Sequence, residues 1–192
     1  LNEALQEYTI GDPNLPKVDI GPIINKNSKD RLMAHISALK KSAKRTIEHH
    51  HKQDKGDLFI TPIVFEIDSI NQIDEENFGP ILHFIRYKNE NLQQVIDEIN
   101  DTGYGLTMGV HSRIVSKARR IFEAANVGNF YFNRDIVGAV VGVQPFGGQG
   151  LSGTGPKAGG PGYLYNFVTE KTYTDNVMAT GGNIELLNKN AM

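Results

Sequence analysis

Apolar side chains at Leu1, Ala4, Leu5 and Tyr8 recur at the i, i+3, i+4, i+7 spacing that stacks them on one face of a helix, and Gly11, Asp12 and Pro13 end the pattern. This spacing predicts that the chain begins inside a helix. No Met and no capping residue precedes Leu1, so the sequence is expected to be a piece of a longer polypeptide, with a processed natural terminus as the plainer alternative. After a Pro-containing loop, Ser28 is the expected cap of a second helix with its apolar stripe at Leu32, Ile36, Leu39 and Ala43. Residues 48–57 are polar and predict a loop. Residues 58–67 and 81–87 are rich in β-branched and aromatic side chains and predict strands. Leu92, Val95, Ile96 and Ile99 mark a third helix, residues 106–111 a short strand, and Val115, Ala118, Ile121, Phe122 and Ala125 a fourth helix that Gly128 stops. Residues 129–133, Asn-Phe-Tyr-Phe-Asn, predict one more strand.

Strands that alternate with helices predict an α/β fold with a mostly parallel sheet and flanking helices. In such sheets ligands sit beyond the carboxyl ends of the strands. The segment beyond the last predicted strand is the most unusual in the chain. Residues 138–162 hold ten of the twenty glycines, with Pro145, Pro156 and Pro161 interleaved. That composition excludes regular helix and central strand, and it suits a loop wrapped around a ligand or a chain crossing. A flexible linker is the plainer alternative; Val140, Val141, Val143, Phe146 and Leu151 argue against it, because Gly/Ser linkers seldom carry so many apolar anchors.

Composition narrows the function. With 192 residues, 39% of them hydrophobic, and a net charge of -2, the chain buries a core rather than staying disordered. Twenty Lys and Arg against 22 Asp and Glu leave no electrostatic footprint for nucleic acid, and the cluster Lys40, Lys41, Lys44, Arg45 reads as the solvated face of a helix. No apolar run reaches the ~20 residues that span a bilayer. The absence of cysteine excludes a disulfide framework, a thiolate metal site and a cysteine nucleophile within these residues, and it fits a reducing compartment such as the cytoplasm.

Three motifs compete for chemistry. Gly148-x-Gly150-x-x-Gly153 matches a dinucleotide fingerprint in letters, but Pro156, Gly159, Gly160 and Pro161 leave no room for the helix that must follow it. His49, His50 and His51 are consecutive, so their side chains diverge and predict a solvated loop rather than a metal site. His35, His83 and His111 show no partner pattern and are read as structural. Glu76-Asn77-Phe78-Gly79-Pro80 is more specific: a carboxylate there suits both hydroxyls of a ribose, and an aromatic ring suits the flat face of a nicotinamide riboside. The same five residues also suit a plain turn in which Phe78 plugs the core. Chemistry alone leaves both readings standing.

Glu76-x-Phe78-Gly79-Pro80 and Pro145-Phe146-Gly147-Gly148 resemble, in order and spacing, two motifs of the aldehyde dehydrogenase superfamily. Gly11-Asp12-Pro13 and Asp19-Ile20-Gly21-Pro22 resemble the segment that follows the catalytic cysteine of that family. The longer runs at residues 133–148 and 151–161 are similar to the delta-1-pyrroline-5-carboxylate (glutamate semialdehyde) dehydrogenase module of the bacterial proline utilisation A family, multifunctional oxidoreductases of proline catabolism. The tail, with Gly181-Gly182-Asn183, resembles the extension of that family.

The resemblance implies a partial catalytic domain over residues 1–170 and a C-terminal oligomerisation strand and tail over 171–192. It implies that Glu76 binds the nicotinamide ribose of NAD, with Phe78 against the same region. It implies that the backbone amides of Gly138 and Ala139 anchor the carboxylate of glutamate semialdehyde, a role that suits two amides without an obstructing side chain. Phe146 would pack on the substrate's aliphatic chain. The family's catalytic cysteine, oxyanion-stabilising Asn, general-base Glu and Rossmann domain lie upstream of the matched region, so no residue here is assigned as catalytic and the chain alone is expected to be inactive. The implied partners are the remainder of the polypeptide and a second copy of the enzyme through the C-terminal strand. FAD enters only through a separate proline dehydrogenase domain that parents of this family can carry. The rival readings are an aldehyde dehydrogenase of other specificity and a shortened, non-catalytic paralogue acting as an assembly partner.

Overall fold

Asn25 is extended, and its side-chain oxygen accepts the backbone N–H of Ser28 at 2.8 Å. Asn25 is therefore the cap of α2 (Lys26–Ser42), and Ser28, expected in that role, lies inside the first turn as the donor. The computed structural model of the chain describes residues 1–50 and 56–176. The opening helix, α1 (Asn2–Gln6), stops short of Tyr8; the Gln6 side chain bonds outward instead, donating to the Glu48 carbonyl and accepting from His50 N–H. Leu32, Ile36 and Leu39 are the buried stripe of α2, as their spacing predicts.

A three-stranded sheet has the order β1-β2-β3, with β1 (Arg45–Glu48), β2 (Ile63–Glu66) and β3 (Ile81–Phe84). β2 pairs antiparallel with β1 and parallel with β3. As the central strand it is buried on both faces at Ile63, Val64 and Phe65. The expected strand over 58–67 shrinks to this second half because Pro62, without an N–H, bounds the ladder. β1 lies between the predicted second helix and the polar stretch that begins at Glu48, where no strand was expected. Only Thr46 and Ile47 are half-buried there, too short a pattern to announce a strand, and Arg45 belongs to it rather than to a helix face. α2 packs on this sheet through Leu32, Ile36 and Leu39 against Ile60, Ile63, Phe65 and Ile67.

The second half contains α3 (Leu92–Asp101), β4 (Tyr104–Gly105), β5 (Thr107–Val110), α4 (Val115–Ala124), β6 (Asn129–Phe132) and β7 (Gln149–Gly150). β5, α4 and β6 form a β-α-β unit whose strands are parallel. Leu92 and Ile96 of α3 and Ile121 of α4 meet Met108, Val110 and Phe130 in a second core. Asn100 joins the two helix ends, its amide donating to the Ala124 carbonyl and its oxygen accepting from Asn126 N–H. β4 and β7 are an antiparallel pair.

The fold is mixed α/β. The parallel pairings expected of one sheet occur among the described residues as two separate pairs, with antiparallel strands beside them. Of the predicted tail, residues 171–176 carry no regular structure, and the rest lies outside the described residues.

Candidate functional site

The turn at residues 76–80 is fixed from below and open above. Gly79 lies so close to α2 that a Cβ there would meet Leu32 Cδ1 at 2.7 Å, so a larger residue would have to push the buried Leu32 side chain aside. Gly79 N–H donates to the Asn77 carbonyl, Ile81 N–H to the Gly79 carbonyl, and Ile63 N–H to the Pro80 carbonyl, which locks the turn to the mouth of β3. Glu76 is exposed, and Phe78 is 80% exposed, so Phe78 does not plug the core. Both line a cleft of about 700 Å³, whose other walls include Thr102, Tyr104, Met108, Leu151 and Ser152.

The glycine-rich segment is built on β6. Asn129 and Tyr131 lie on one face of that strand, and Asn133 follows its end. The buried Asn129 donates to the Pro145 carbonyl and accepts from Gly147 N–H. Tyr131 Oη donates to the Gly138 carbonyl at 3.0 Å. Asn133, at φ 54°, exchanges two hydrogen bonds with the Ser112 backbone beyond β5. Lys157 Nζ donates to the Gly128 carbonyl. Gly128 admits no side chain, because a Cβ would come within 1.8 Å of the Gly147 carbonyl oxygen.

Gly138 has φ +70° and open space around the position of a Cβ, and Ala139 follows in a half-exposed turn. Phe146 is half-buried and exchanges two backbone hydrogen bonds with Ala158. Further on, Leu151 N–H donates to the Gly103 carbonyl and Gly105 N–H to Ser152 Oγ, stitching the segment to β4. The apparent fingerprint Gly148-x-Gly150-x-x-Gly153 therefore contains β7 and opens no helix.

The predicted site residues fall into two groups. Glu76 and Phe78 share the cleft, which the glycine-rich segment reaches through Leu151 and Ser152. Gly138, Ala139 and Phe146 are not part of its lining. Sequence reasoning gave no role to Tyr131, whose hydroxyl bonds the Gly138 carbonyl, or to Arg134 and Gln144 beside it; the alternation of Asn129 and Tyr131 along β6 was the available signal. It also misread His49 and did not show which partner His35 and His83 have. His49 is buried, 5% exposed, where a solvated loop was expected, because the chain passes from β1 under Gln6. His35 on α2 and His83 on β3 meet with Nε2 atoms 2.8 Å apart, a pairing across 48 positions that no local pattern shows. Burial, helped by His35, pushes the His83 imidazole down to about 4. Burial also lowers His35, against the opposing pull of Asp74 and Glu75.

The sequence profile of the aldehyde dehydrogenase family matches residues 1–173, and the chain belongs to that family. Among named relatives, it is 43% identical over 178 residues to the bifunctional protein PutA of Klebsiella aerogenes, a match covering 89% of this chain and 14% of that protein. A solved variant of proline utilization A (PutA) from Bradyrhizobium japonicum superimposes with a TM-score of 0.82 at 50% identity, over 93% of this chain and 18% of that one. The 1-pyrroline-5-carboxylate dehydrogenase of Thermus, solved with bound NAD, gives a TM-score of 0.73 at 37% identity, over 86% of this chain and 32% of that one. The chain thus spans less than a third of the length of each of the two PutA proteins. No helix among the described residues is long and apolar enough to cross a membrane.

Proposed function

We propose that this chain is the C-terminal part of an NAD-dependent dehydrogenase that oxidises L-glutamate γ-semialdehyde to glutamate in proline catabolism, and that it supplies one wall of the active site. The observation that carries the reading is the fixed, open turn of Glu76 and Phe78 on a cleft, joined through the glycine-rich segment to the exposed Gly138–Ala139 turn. The similarity to a 1-pyrroline-5-carboxylate dehydrogenase solved with NAD supports it.

The residues present fit the outer part of an NAD site. Glu76 offers an exposed carboxylate to the ribose hydroxyls, and Phe78 offers an uncovered ring to the nicotinamide end. Bound NAD supplies the hydride acceptor. The backbone amides of Gly138 and Ala139 hold the substrate's carboxylate, and Phe146 packs on its chain. Thiolate chemistry falls to a segment outside this sequence, which contains no cysteine.

The chain then works as part of a larger, cytoplasmic, PutA-like polypeptide. Leu82 on β3 and Leu106 before β5 are 47% and 40% exposed, apolar surface that strands from the remainder would cover to complete one mostly parallel sheet. Residues 171–192 would add the oligomerisation strand, on the strength of the resemblance. Assay of NADH formation tests the proposal: the complete polypeptide turns over glutamate semialdehyde with NAD, and this chain alone yields none above a no-enzyme control. NADH from the isolated chain would overturn it.

A further inference from the structure

We infer that Tyr131, Arg134 and Gln144 are the positioning residues that aim the Gly138–Ala139 amides at a carboxylate, which rests on the anchor role proposed for that turn. A pair of amides binds an anion well only if its direction is fixed before the ligand arrives, and a glycine at positive φ has the least backbone restraint of any residue. The restraint here comes from three side chains.

Tyr131 is 5% exposed, and its hydroxyl donates to the Gly138 carbonyl at 3.0 Å, drawing that oxygen toward β6. On the other side of the turn, Val140 N–H donates to Gln144 Oε1 at 2.9 Å. Gln144 N–H in turn donates to the Val140 carbonyl at 2.8 Å, closing a tight ring over residues 140–144. Arg134 joins the two anchors. Its guanidinium lies 4.5 Å from the Tyr131 ring centroid, and Nη1 reaches Gln144 Oε1 at 3.4 Å. The groups flanking the amide pair are thus tied down, while Gly138 and Ala139 N–H donate to no other described residue. Arg134 does not serve as the ion partner of the substrate in this arrangement, because Asp135 lies 3.3 Å from its Nη2 and the ring occupies its face.

Kinetics of Tyr131→Phe in the complete enzyme test the inference, with glutamate semialdehyde and an uncharged aldehyde of similar length as substrates. Phenylalanine keeps the ring under Arg134 and removes only the hydroxyl. The expected result is a KM for glutamate semialdehyde raised about tenfold at nearly unchanged kcat, with the uncharged aldehyde unaffected. Gln144→Ala, which frees the Val140 amide, gives the same pattern and serves where Tyr131→Phe does not fold. A wild-type enzyme that prefers the carboxylated aldehyde, with both variants unchanged, overturns this inference alone. Equal losses on both aldehydes also overturn it, since they mark a merely structural role. A wild-type enzyme with no preference for the carboxylate overturns the anchor reading beneath it.

Discussion

Glu76 and Phe78 present their side chains to solvent from a turn that Gly79 and Pro80 hold in place. Replacing Glu76 by Ala in the complete enzyme removes an acceptor without touching the core, and should weaken NAD binding about tenfold while leaving stability unchanged. Titration of NAD binding by fluorescence checks this, and unchanged affinity would remove Glu76 from the site. The histidine pair makes a separate prediction. His83 is held near 4 in the fold and titrates at its ordinary 6.5 when unfolded, so the unfolded chain binds the extra proton as pH falls between those values. Stability is therefore full above about pH 6.5 and lost progressively toward pH 4, by on the order of 1 kcal/mol once partial exposure is allowed for. Urea unfolding at about pH 7.5 and about pH 5 should show that loss, and His83→Gln should remove most of it. The turn that carries Glu76 and Phe78 was legible in the sequence because its Gly-Pro signal is local. The His35–His83 contact was not, since it depends on how α2 crosses β3.

Among the elements, α2, α3 and α4 were legible because a stripe repeating every three or four residues survives any tertiary setting. Their ends were less so: Asn25, not Ser28, caps α2 because it alone adopts the extended backbone that turns its side chain onto the Ser28 amide. β1 was invisible because only two of its residues are half-buried. The glycine-rich segment was recognisable as neither helix nor central strand, but its attachment to β6 was not. That attachment is testable. Asn129→Ala leaves the Pro145 carbonyl and the Gly147 amide without their partner and should destabilise the segment by about 1–3 kcal/mol. Amide exchange would show faster opening confined to residues near 145–147, whereas protection equal to wild type would mean that Lys157 and β7 hold the segment without Asn129.

For the whole molecule, the absence of cysteine placed a thiolate nucleophile outside these residues, and the long run from Asn133 to Gly148 was the feature that resembled the proline utilisation A family. In the division of labour proposed, this chain, which contains no cysteine, supplies the NAD-facing turn and the carboxylate anchor, and the thiolate comes from the remainder of the polypeptide. The arrangement of the parallel pairs could not be read from periodicity, which shows that strands exist but not which others they join. The carboxylate anchor is the central claim. The most direct test measures kcat/KM of the complete enzyme for glutamate semialdehyde against the aldehyde of the same length that lacks the carboxylate. A preference of at least about tenfold for glutamate semialdehyde is predicted, lost when Gly138 is replaced by Val. Equal kcat/KM for the two aldehydes, or a preference that survives Gly138→Val, would contradict the account.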